Sequence, residues 1–366
     1  MLRVLHMIGN MDIGGSQTLI MNIYRNIDRS KMQFDFVVDR LTNNLLENEI
    51  KSLGGKIFCM SKFKGTNLFK IRSEWSNFFS QYPEYKILHS HVRSYASLYL
   101  DVAKKHGLKT IIHSHSTSNG SGFNSIVKKI LQYPLRYQAD YLFACSNIAG
   151  EWLYGKKACQ QDNFYILNNA IDVEKYKINQ DTRLRIRKEL KVDNNFVFGH
   201  VGRLHEAKNH KFLLEVFHNL IKRKPESKLI IVGDGDLKGE IEEKIRELHL
   251  QDSVIMTGSR NDVPNLLMAF DAFLFPSKWE GLPVTVVEAQ AASLPCFVSD
   301  TVTLEVGISD LVHYLPINKG AEYWCNIIMN SDLSKEYVSN DIIAAGFDIR
   351  ETAKWLTDFY MRIANE

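Results

Sequence analysis

Short apolar segments alternate with longer amphipathic segments along the whole of this sequence. Short apolar runs bounded by turn residues are typical of buried strands, and longer amphipathic runs are typical of helices. Regular alternation of the two indicates βα units around mainly parallel sheets, so the sequence predicts an α/β protein. The predicted strands span residues 2–8, 34–39, 56–60, 87–90, 110–113, 141–145, 165–167, 196–201, 228–232, 254–257, 272–276, 295–299 and 313–315.

The length of the chain and one polar segment predict two domains. A chain of 366 residues is long for a single hydrophobic core, whereas two cores of ordinary size account for it. The boundary is predicted where the strand at 165–167 gives way to a polar stretch that reaches Asp181. We therefore assign residues 1–172 and 173–349 to two Rossmann-like domains in series. Residues 350–366 are predicted to be a closing helix. The sequence does not decide on which domain this helix packs, and packing on the first domain is one interpretation.

Cysteine usage and hydropathy predict the compartment. No segment approaches the roughly 20 uninterrupted apolar residues that a spanning helix needs. Met1 leads directly into the first strand rather than into an export signal. The odd number and wide scatter of the cysteines, without a Cys-x-x-C motif, predict reduced thiols and no structural metal. We expect a soluble protein of the cytoplasm. The cysteines are Cys59, Cys145, Cys159, Cys296 and Cys325.

The charge is distributed unequally between the two halves. Residues 1–170 hold 21 lysines and arginines against 12 aspartates and glutamates, a balance of +9. Residues 171–366 hold 24 against 30, a balance of −6. A basic half indicates an anionic partner, such as a membrane surface, a phosphorylated acceptor or nucleic acid. A solvated lysine-rich surface without a partner is the other interpretation, and both stay open at this point.

The segment from Glu280 to Glu288 carries the strongest local signal, because it follows the strand at 272–276 and opens a helix. Pro283 suits the first helical turn, and the amides of the loop and of the helix N-terminus form a site for an anion such as a diphosphate. Glu288 lies eight positions beyond Glu280, which corresponds to about 12 Å of helical rise. That is too far for the ~5 Å carboxylate pair of a retaining hydrolase. We expect the two carboxylates to contact different parts of one long ligand.

A second segment places two cations after the strand at 196–201. Arg203 and Lys208 flank the start of a helix, and Gly202 lets the backbone approach a ligand. Arginine and lysine beyond a strand end match phosphate oxygens, although surface cations are usually solvated. The segment 233–235, Gly-Asp-Gly, is interpreted equally well as a simple strand-to-helix turn. The segment 9–15 lacks the G-x-G-x-x-G spacing of dinucleotide sites, so a nicotinamide enzyme is not expected.

Taken together, these segments resemble glycosyltransferase family 4, a group of retaining enzymes with the GT-B architecture of two Rossmann-like parallel-sheet domains that face each other across a cleft. The resemblance spans nearly the whole chain and is closest to the bacterial enzymes of exopolysaccharide and capsule biosynthesis. The matching segments are 9–15 (GNMDIGG), 113–117 (HSHST), 169–172 (NAID), 233–235 (GDG), 280–289 (EGLPVTVVEA) and the pair Arg203 and Lys208.

The resemblance implies a role for each matched residue of the second half. Arg203 and Lys208 would bind the donor diphosphate, Glu280 would contact the transferred sugar, and Glu288 would bind the ribose. Arg260 falls where relatives contact the base. Pro283 lacks an amide hydrogen, so loop contacts to phosphate would come from its neighbours. The implied donor-binding set is completed by Gly233, Gly281, Leu282 and Val284.

In the first half, the resemblance implies that Gly14 and Gly15 let the first loop approach the donor phosphate and the acceptor. A histidine at the end of the strand at 110–113 would face the sugar, and the candidates are His113 and His115. His115 is favoured because the polar residues that follow it match the arrangement in relatives. His89 and His91 are expected to be structural or to line the acceptor site, because no carboxylate or cysteine at motif spacing indicates a metal.

The resemblance implies transfer of a sugar from a nucleotide-sugar, UDP being the expected nucleotide, to a saccharide or lipid-linked saccharide acceptor in surface polysaccharide biosynthesis. No cofactor and no metal ion are expected, and no nucleic acid. Peripheral contact with an anionic membrane at the inner face of the plasma membrane is expected from the basic half. Two alternatives stay open: a nucleotide-sugar epimerase of the same architecture, and a non-catalytic partner subunit, against which the joint presence of Glu280, Arg203, Lys208 and Glu288 argues.

Overall fold

The computed structural model describes residues 1–12, 14–42, 44–115, 123–334 and 337–366, with 123–125 described by their backbone alone. Ile13, Ser116 and Thr117 of the matched segments lie outside the described residues. The chain divides into two compact units. The first unit is Met1–Ala170 together with Ile349–Glu366, and the second is Ile171–Asp348. The division follows Ala170, two residues before the predicted end of the first domain.

The first unit is built on a seven-stranded parallel sheet in the order β3-β2-β1-β4-β5-β6-β7. Its strands are β1 Leu2–Gly9, β2 Met32–Val38, β3 Ile57–Cys59, β4 Ile87–Ser90, β5 Lys109–Ser114, β6 Tyr141–Ala144 and β7 Phe164–Ile166. Its helices are α1 Gly15–Asn26, α2 Leu45–Ser52, α3 Leu68–Gln81, α4 Ser97–Lys105, α5 Phe123–Gln132, α6 Leu135–Gln138 and α7 Asn147–Tyr154, with a 3₁₀ turn at Ala158–Gln160.

The second unit is built on a six-stranded parallel sheet in the order β10-β9-β8-β11-β12-β13. Its strands are β8 Phe196–Val201, β9 Ser227–Val232, β10 Val254–Gly258, β11 Ala272–Phe275, β12 Cys296–Ser299 and β13 Val312–Leu315. Its helices are α8 Gln180–Glu189, α9 His210–Arg223, α10 Lys238–Glu247, α11 Val263–Ala269, α12 Val284–Ala291, α13 Gly320–Asn330 and α14 Ser339–Ala344. Its 3₁₀ turns are Val173–Tyr176, Glu206–Lys208, Leu304–Val306 and Ile317–Lys319.

The closing helix, α15 Ile349–Ile363, belongs to the first unit. Its buried face includes Leu356, Phe359 and Tyr360, which join the same hydrophobic cluster as residues of α1 and β2. Amphipathic spacing of the apolar residues along α15 accounts for this, since one stripe of the helix is buried and the rest is solvated. The polypeptide therefore leaves the first unit after Ala170 and returns to it at residue 349.

Both faces of each sheet are covered, as expected for parallel sheets. In β1, Val4 and Ile8 point into one cluster, whereas Leu5 and Met7 point into the cluster on the opposite face. Every predicted strand overlaps an observed one, and the α/β class with two parallel sheets is confirmed. Among the described residues, no helix combines the length and the hydropathy that crossing a membrane requires.

Candidate functional site

Two neighbouring strands of the second unit end in closely apposed glycines. Gly202 follows β8 and Gly233 follows β9, and these two strands pair in register. Gly233 has a φ of +140°, and a Cβ at this position would lie 2.0 Å from the carbonyl oxygen of Gly202. The amide of Gly233 donates to the carbonyl of Gly258 at 2.9 Å. Only glycine fits here, because the backbones of the two loops occupy the space of a side chain.

Lys208 and Glu280 form an ion pair beside these loops. The Nζ of Lys208 lies 2.7 Å from Oε1 of Glu280, and the two side chains are 16% and 15% exposed. The same Nζ lies 4.5 Å from the ring centroid of Phe275, the last residue of β11. A partly buried pair is less screened by solvent than a surface pair. The fold thus brings together two residues for which the sequence predicted contacts to diphosphate and sugar.

Arg203 lies in a different environment. Its side chain is 68% exposed, and its ion-pair partner among the described residues is Asp236, 80% exposed, at 3.3 Å. An ion pair this exposed contributes little to stability, since solvent screens the charges and both side chains lose rotamer freedom. The guanidinium can therefore exchange this partner for a ligand anion at small cost.

Two buried histidines, which the sequence analysis did not single out, lie near Lys208. His200 on β8 bonds through Nδ1 to the carbonyl of Leu274 at 2.8 Å. His210 opens α9 and meets His200 edge to face, with ring centroids 4.9 Å apart. Burial, with a smaller contribution from the Lys208 charge, lowers the pKa of His210 to about 4. These rings are neutral at neutral pH. The sequence feature that could have identified them is their position, since His200 lies near the end of β8 and His210 begins α9.

The N-terminus of α12 follows the loop that holds Glu280. Pro283 precedes the helix, and its carbonyl accepts the amide of Val286 at 3.0 Å. The first amides of a helix have no partner within it, so those of Val284 and Thr285 are the donors nearest the loop. The Thr285 hydroxyl is buried with no hydrogen-bond partner among the described residues. Space is open around Gly281, where a Cβ would have no neighbour within 4 Å.

Glu288 lies further along α12 and is held by a tyrosine. The hydroxyl of Tyr176 donates to Oε1 of Glu288 at 2.7 Å. Burial raises the pKa of the Glu288 carboxyl, and the hydrogen bond from Tyr176 partly offsets that rise. Tyr176 belongs to the 3₁₀ turn at Val173–Tyr176 and joins the core of the second unit. The tyrosine therefore fixes the direction in which this carboxylate points, a contact that the sequence did not predict.

Arg260 already has carboxylate partners within its own unit. Its guanidinium donates to both carboxylate oxygens of Asp262, at 2.7 and 2.8 Å, and to Glu189 at 2.9 Å. Bidentate geometry of this kind holds an arginine firmly. The predicted contact with a base would have to be made by the remaining face of the guanidinium, and it stays a prediction.

The predicted glycines of the first unit lie at the start of α1, with Gly14 as its N-cap and Gly15 as its first residue. A Cβ at Gly14 would lie 2.9 Å from Oε1 of Gln17, whereas one at Gly15 would have no neighbour within 4 Å. Gln17 folds back and donates to the carbonyl of Asn10 at 2.9 Å. Gly14 is thus confined by a side chain from the first turn of α1, and Gly15 has open space around it.

His113 and His115 occupy different environments although they are stacked, with ring centroids 4.0 Å apart. His113, on β5, is fully buried and has no hydrogen-bond partner among the described residues. His115 follows the strand, is partly exposed, and meets Nδ1 of His91 through its Nε2 at 2.8 Å. Burial lowers the pKa of both rings. Of the two candidates, His115 is the one with a surface that a ligand can reach.

The sequence matches known families along both of its halves. Glycosyltransferase Family 4 matches residues 13–175, and Glycosyl transferases group 1 matches residues 181–315. The chain is 32% identical to EpsF of Bacillus subtilis, described as a glycosyltransferase, over 98% of this chain and 96% of the relative. It is 30% identical, over 59% of this chain and 58% of the relative, to the UDP-Gal:alpha-D-GlcNAc-diphosphoundecaprenol alpha-1,3-galactosyltransferase of Escherichia coli.

Among solved structures, Anabaena Alr3699/HepE in complex with UDP shares the fold, with a TM-score of 0.79 and 18% identity over 99% of this chain and 100% of the other. Two Rossmann-like units in series, with glycine-rich loops and cations at strand ends, define the class as a GT-B protein. The full-length likeness to EpsF and the match of both halves then give the family. The chain belongs to the glycosyltransferases with family 4 and group 1 domains, and the resemblance inferred from its motifs is confirmed.

Proposed function

We propose that this glycosyltransferase moves a hexosyl group from a UDP-sugar to a saccharide or lipid-linked saccharide in surface polysaccharide biosynthesis, with retention of the anomeric configuration. The observation that carries the proposal is the Lys208–Glu280 ion pair beside the N-terminus of α12. Support comes from relatives, because the Escherichia coli enzyme is named for a UDP-sugar donor and a diphosphoundecaprenol acceptor, and the Anabaena protein was solved with UDP.

In this proposal the diphosphate is bound by side-chain cations and backbone amides. Lys208 and Arg203 supply the positive charge, and the amides of Val284 and Thr285 point from the helix N-terminus. The departing diphosphate gains negative charge as the glycosidic bond breaks, and these preorganised donors stabilise it without a metal ion. The open space around Gly281 lets phosphate or sugar oxygens approach the loop backbone closely.

Named side chains position the sugar in this proposal. Glu280, adjacent to Lys208, would accept hydrogen bonds from hydroxyls of the transferred sugar, and His115 is retained as the histidine proposed to contact the sugar. Glu288, oriented by Tyr176, would bind the ribose. We assign no covalent nucleophile, and we propose that the acceptor hydroxyl attacks from the face that the diphosphate leaves.

A surface of the first unit fits peripheral contact with an anionic membrane. Ile126 and Ile130 on α5, Tyr133 just after it and Tyr137 on α6 are each more than half exposed. Lys128, Lys129 and Arg136 lie on the same segment. An apolar stripe flanked by cations is typical of helices that lie in a membrane interface. We propose that this α5 surface docks the enzyme on the inner face of the plasma membrane, next to a lipid-linked acceptor.

A panel of nucleotide-sugars tests the donor and the reaction type. We expect acceptor-dependent release of UDP from one UDP-hexose, together with a product whose anomeric configuration, measured by NMR, matches that of the donor. Release of another nucleoside diphosphate would correct the base, and an inverted product would contradict retention. Solvent deuterium incorporated into the donor without any acceptor would indicate an epimerase instead.

A further inference from the structure

Five histidines lie together at the carboxyl ends of three neighbouring strands of the first unit. β1 contributes His6, β4 contributes His89 and is followed by His91, and β5 contributes His113 and is followed by His115. β4 lies between β1 and β5 in the sheet, and the register pairs His6 with His89. The fold thus gathers imidazoles that are far apart in the sequence.

Three of these rings have the geometry of a metal site. Nitrogen atoms of His91, His113 and His115 all lie within 4.8 Å of one another. His91 Nδ1 and His115 Nε2 are 2.8 Å apart, and the ring of His113 stacks on that of His115. Zinc–nitrogen bonds of 2.0–2.1 Å place the nitrogens of a tetrahedral site about 3.3 Å apart. Reaching that spacing requires the stacked rings of His113 and His115 to turn so that a nitrogen of each faces the ion.

The electronic state of the rings suits coordination. Burial lowers the pKa of all three imidazoles, that of His91 to about 3, so each ring is neutral at neutral pH and has one nitrogen without a proton. His91 Nδ1 and His115 Nε2 share a hydrogen bond at 2.8 Å, so an ion bound by both displaces that proton to another ring nitrogen or to solvent. His113 is fully buried with neither nitrogen bonded to another described residue. A buried polar atom without a partner is unfavourable, and coordination would provide one.

We propose that His91, His113 and His115 bind one divalent transition-metal ion of the Zn²⁺ class, with a fourth position left for a water or ligand oxygen. In this arrangement His91 binds the ion through Nδ1. Its Nε2 keeps the contact with Nδ1 of His6 at 3.2 Å, which orients the ring. The partial exposure of His115 gives the ion a path of entry.

A second group, His6, His89 and His91, also has nitrogens within reach of a single ion. It is the weaker candidate because Nδ1 of His89 is taken by the hydroxyl of Tyr360 at 2.5 Å, and because His6 and His89 are fully buried. The sequence predicted no metal, since no ligand motif with the usual spacing is present. The order of the strands in the sheet, rather than a sequence motif, brings these ligands together. They belong to the first unit, whereas Lys208 belongs to the second.

One consequence rests on the proposed function. If His115 contacts the sugar, an ion bound through its nitrogen removes that contact, so Zn²⁺ should inhibit transfer and a chelator should restore it. If Zn²⁺ binds but does not inhibit transfer, the result would count against the role of His115 in transfer and not against the metal site. The binding experiment below uses the metal alone and is independent of activity.

Full-length protein treated with chelator and then freed of it is titrated with ZnCl₂ by calorimetry. We expect one ion per chain. His91→Gln, His113→Gln and His115→Gln should each weaken Zn²⁺ binding at least tenfold. His313→Gln is the matched control, because this histidine also has a pKa lowered by burial and stacks on Phe297, but it belongs to neither group. The control should bind Zn²⁺ as the unchanged protein does.

X-ray absorption of the Zn²⁺-loaded unchanged protein keeps the test decisive if a buried variant fails to fold. Three imidazole ligands at zinc–nitrogen bonding distance are expected. Absence of stoichiometric binding, or fewer than three imidazoles, would overturn the proposal. A His6→Gln variant that loses Zn²⁺ while folded His115→Gln retains it would place the ion in the other histidine group, which would also overturn it.

Discussion

Lys208 Nζ lies 2.7 Å from Oε1 of Glu280, and this contact joins the loop after β8 to the loop after β11. The ammonium also lies over the ring of Phe275, so it is positioned before any ligand arrives. A diphosphate that approaches Lys208 therefore meets an ammonium group that is already paired with Glu280, the carboxylate proposed to contact the sugar. Replacement of either residue should alter the environment of the other.

Lys208→Ala and Arg203→Ala should each weaken UDP binding about tenfold or more, since each removes a charge-assisted contact worth roughly 1.5–3 kcal/mol. The two variants should differ in stability. Lys208→Ala leaves Glu280 partly buried without its cation, at a cost of about 1–3 kcal/mol, whereas exposed Arg203 contributes little. Calorimetry and denaturant unfolding measure the two effects, and Lys222→Ala on α9 is the control. Unchanged UDP affinity in both variants would remove this pair from the site.

Glu280→Gln should lower turnover far more than UDP affinity, because its proposed contact is with the sugar that moves. Glu288→Gln should chiefly weaken nucleotide binding. Tyr176→Phe should weaken it in the same direction, because the hydroxyl that holds Glu288 is lost. Steady-state kinetics and calorimetry with UDP separate the effects. Equal losses of UDP affinity in the two glutamate variants would contradict this division of roles.

Transfer should continue in the presence of EDTA. Arg203, Lys208 and the amides of α12 neutralise the diphosphate in our proposal. The Asp-x-Asp segment Asp234-Gly235-Asp236 lies beside Arg203, and Asp236 pairs with that arginine at 3.3 Å. UDP release is measured in EDTA and after addition of Mg²⁺ or Mn²⁺. Loss of turnover in EDTA that either ion restores would show that the diphosphate is held through a metal.

Acid should destabilise the first unit through its histidines. Burial lowers the pKa of His91 to about 3, whereas an unfolded histidine titrates near 6.5, so the unfolded state binds more protons between these values. The contribution of such a histidine is fully present above about pH 6.5 and is lost as the pH falls towards the folded pKa, at roughly 1.4 kcal/mol per pH unit. Unfolding by urea at pH 5, 6 and 7 measures this slope. His91→Gln should reduce the slope relative to the unchanged protein, and an identical slope would contradict the assignment.

The α5 surface should bind anionic vesicles. The apolar stripe and the cations act together, and the electrostatic attraction fades within a Debye length of about 8 Å at physiological salt. Cosedimentation with anionic vesicles and release at about 0.5 M salt are expected. An Ile126→Ser/Ile130→Ser double variant should bind several-fold less, whereas Leu184→Ser, at an exposed residue of α8, should bind normally. No binding of the unchanged protein at low salt would leave the +9 charge of the first half without this explanation.

The sequence by itself determined the α/β class, the two units and the segments that carry the candidate site. Apolar run length and periodicity are local properties, and each predicted strand overlaps an observed strand with ends that agree within two residues. The glycines of the loops and Pro283, which precedes α12, are equally local signals, because the backbone conformation they favour depends on the residue itself. The family resemblance could also be recognised from the sequence, because each motif that carries it is a single uninterrupted segment.

The tertiary structure alone decided which distant residues meet. The ion pair of Lys208 with Glu280, the hydrogen bond of Tyr176 with Glu288 and the histidine cluster all depend on strand order and register. Spacing in the sequence does not encode these, because neighbouring strands in a parallel sheet come from segments separated by whole helices. The return of α15 to the first unit has the same cause. Its amphipathic face is visible in the sequence, but the core that covers it is made of first-unit residues that lie far earlier in the chain.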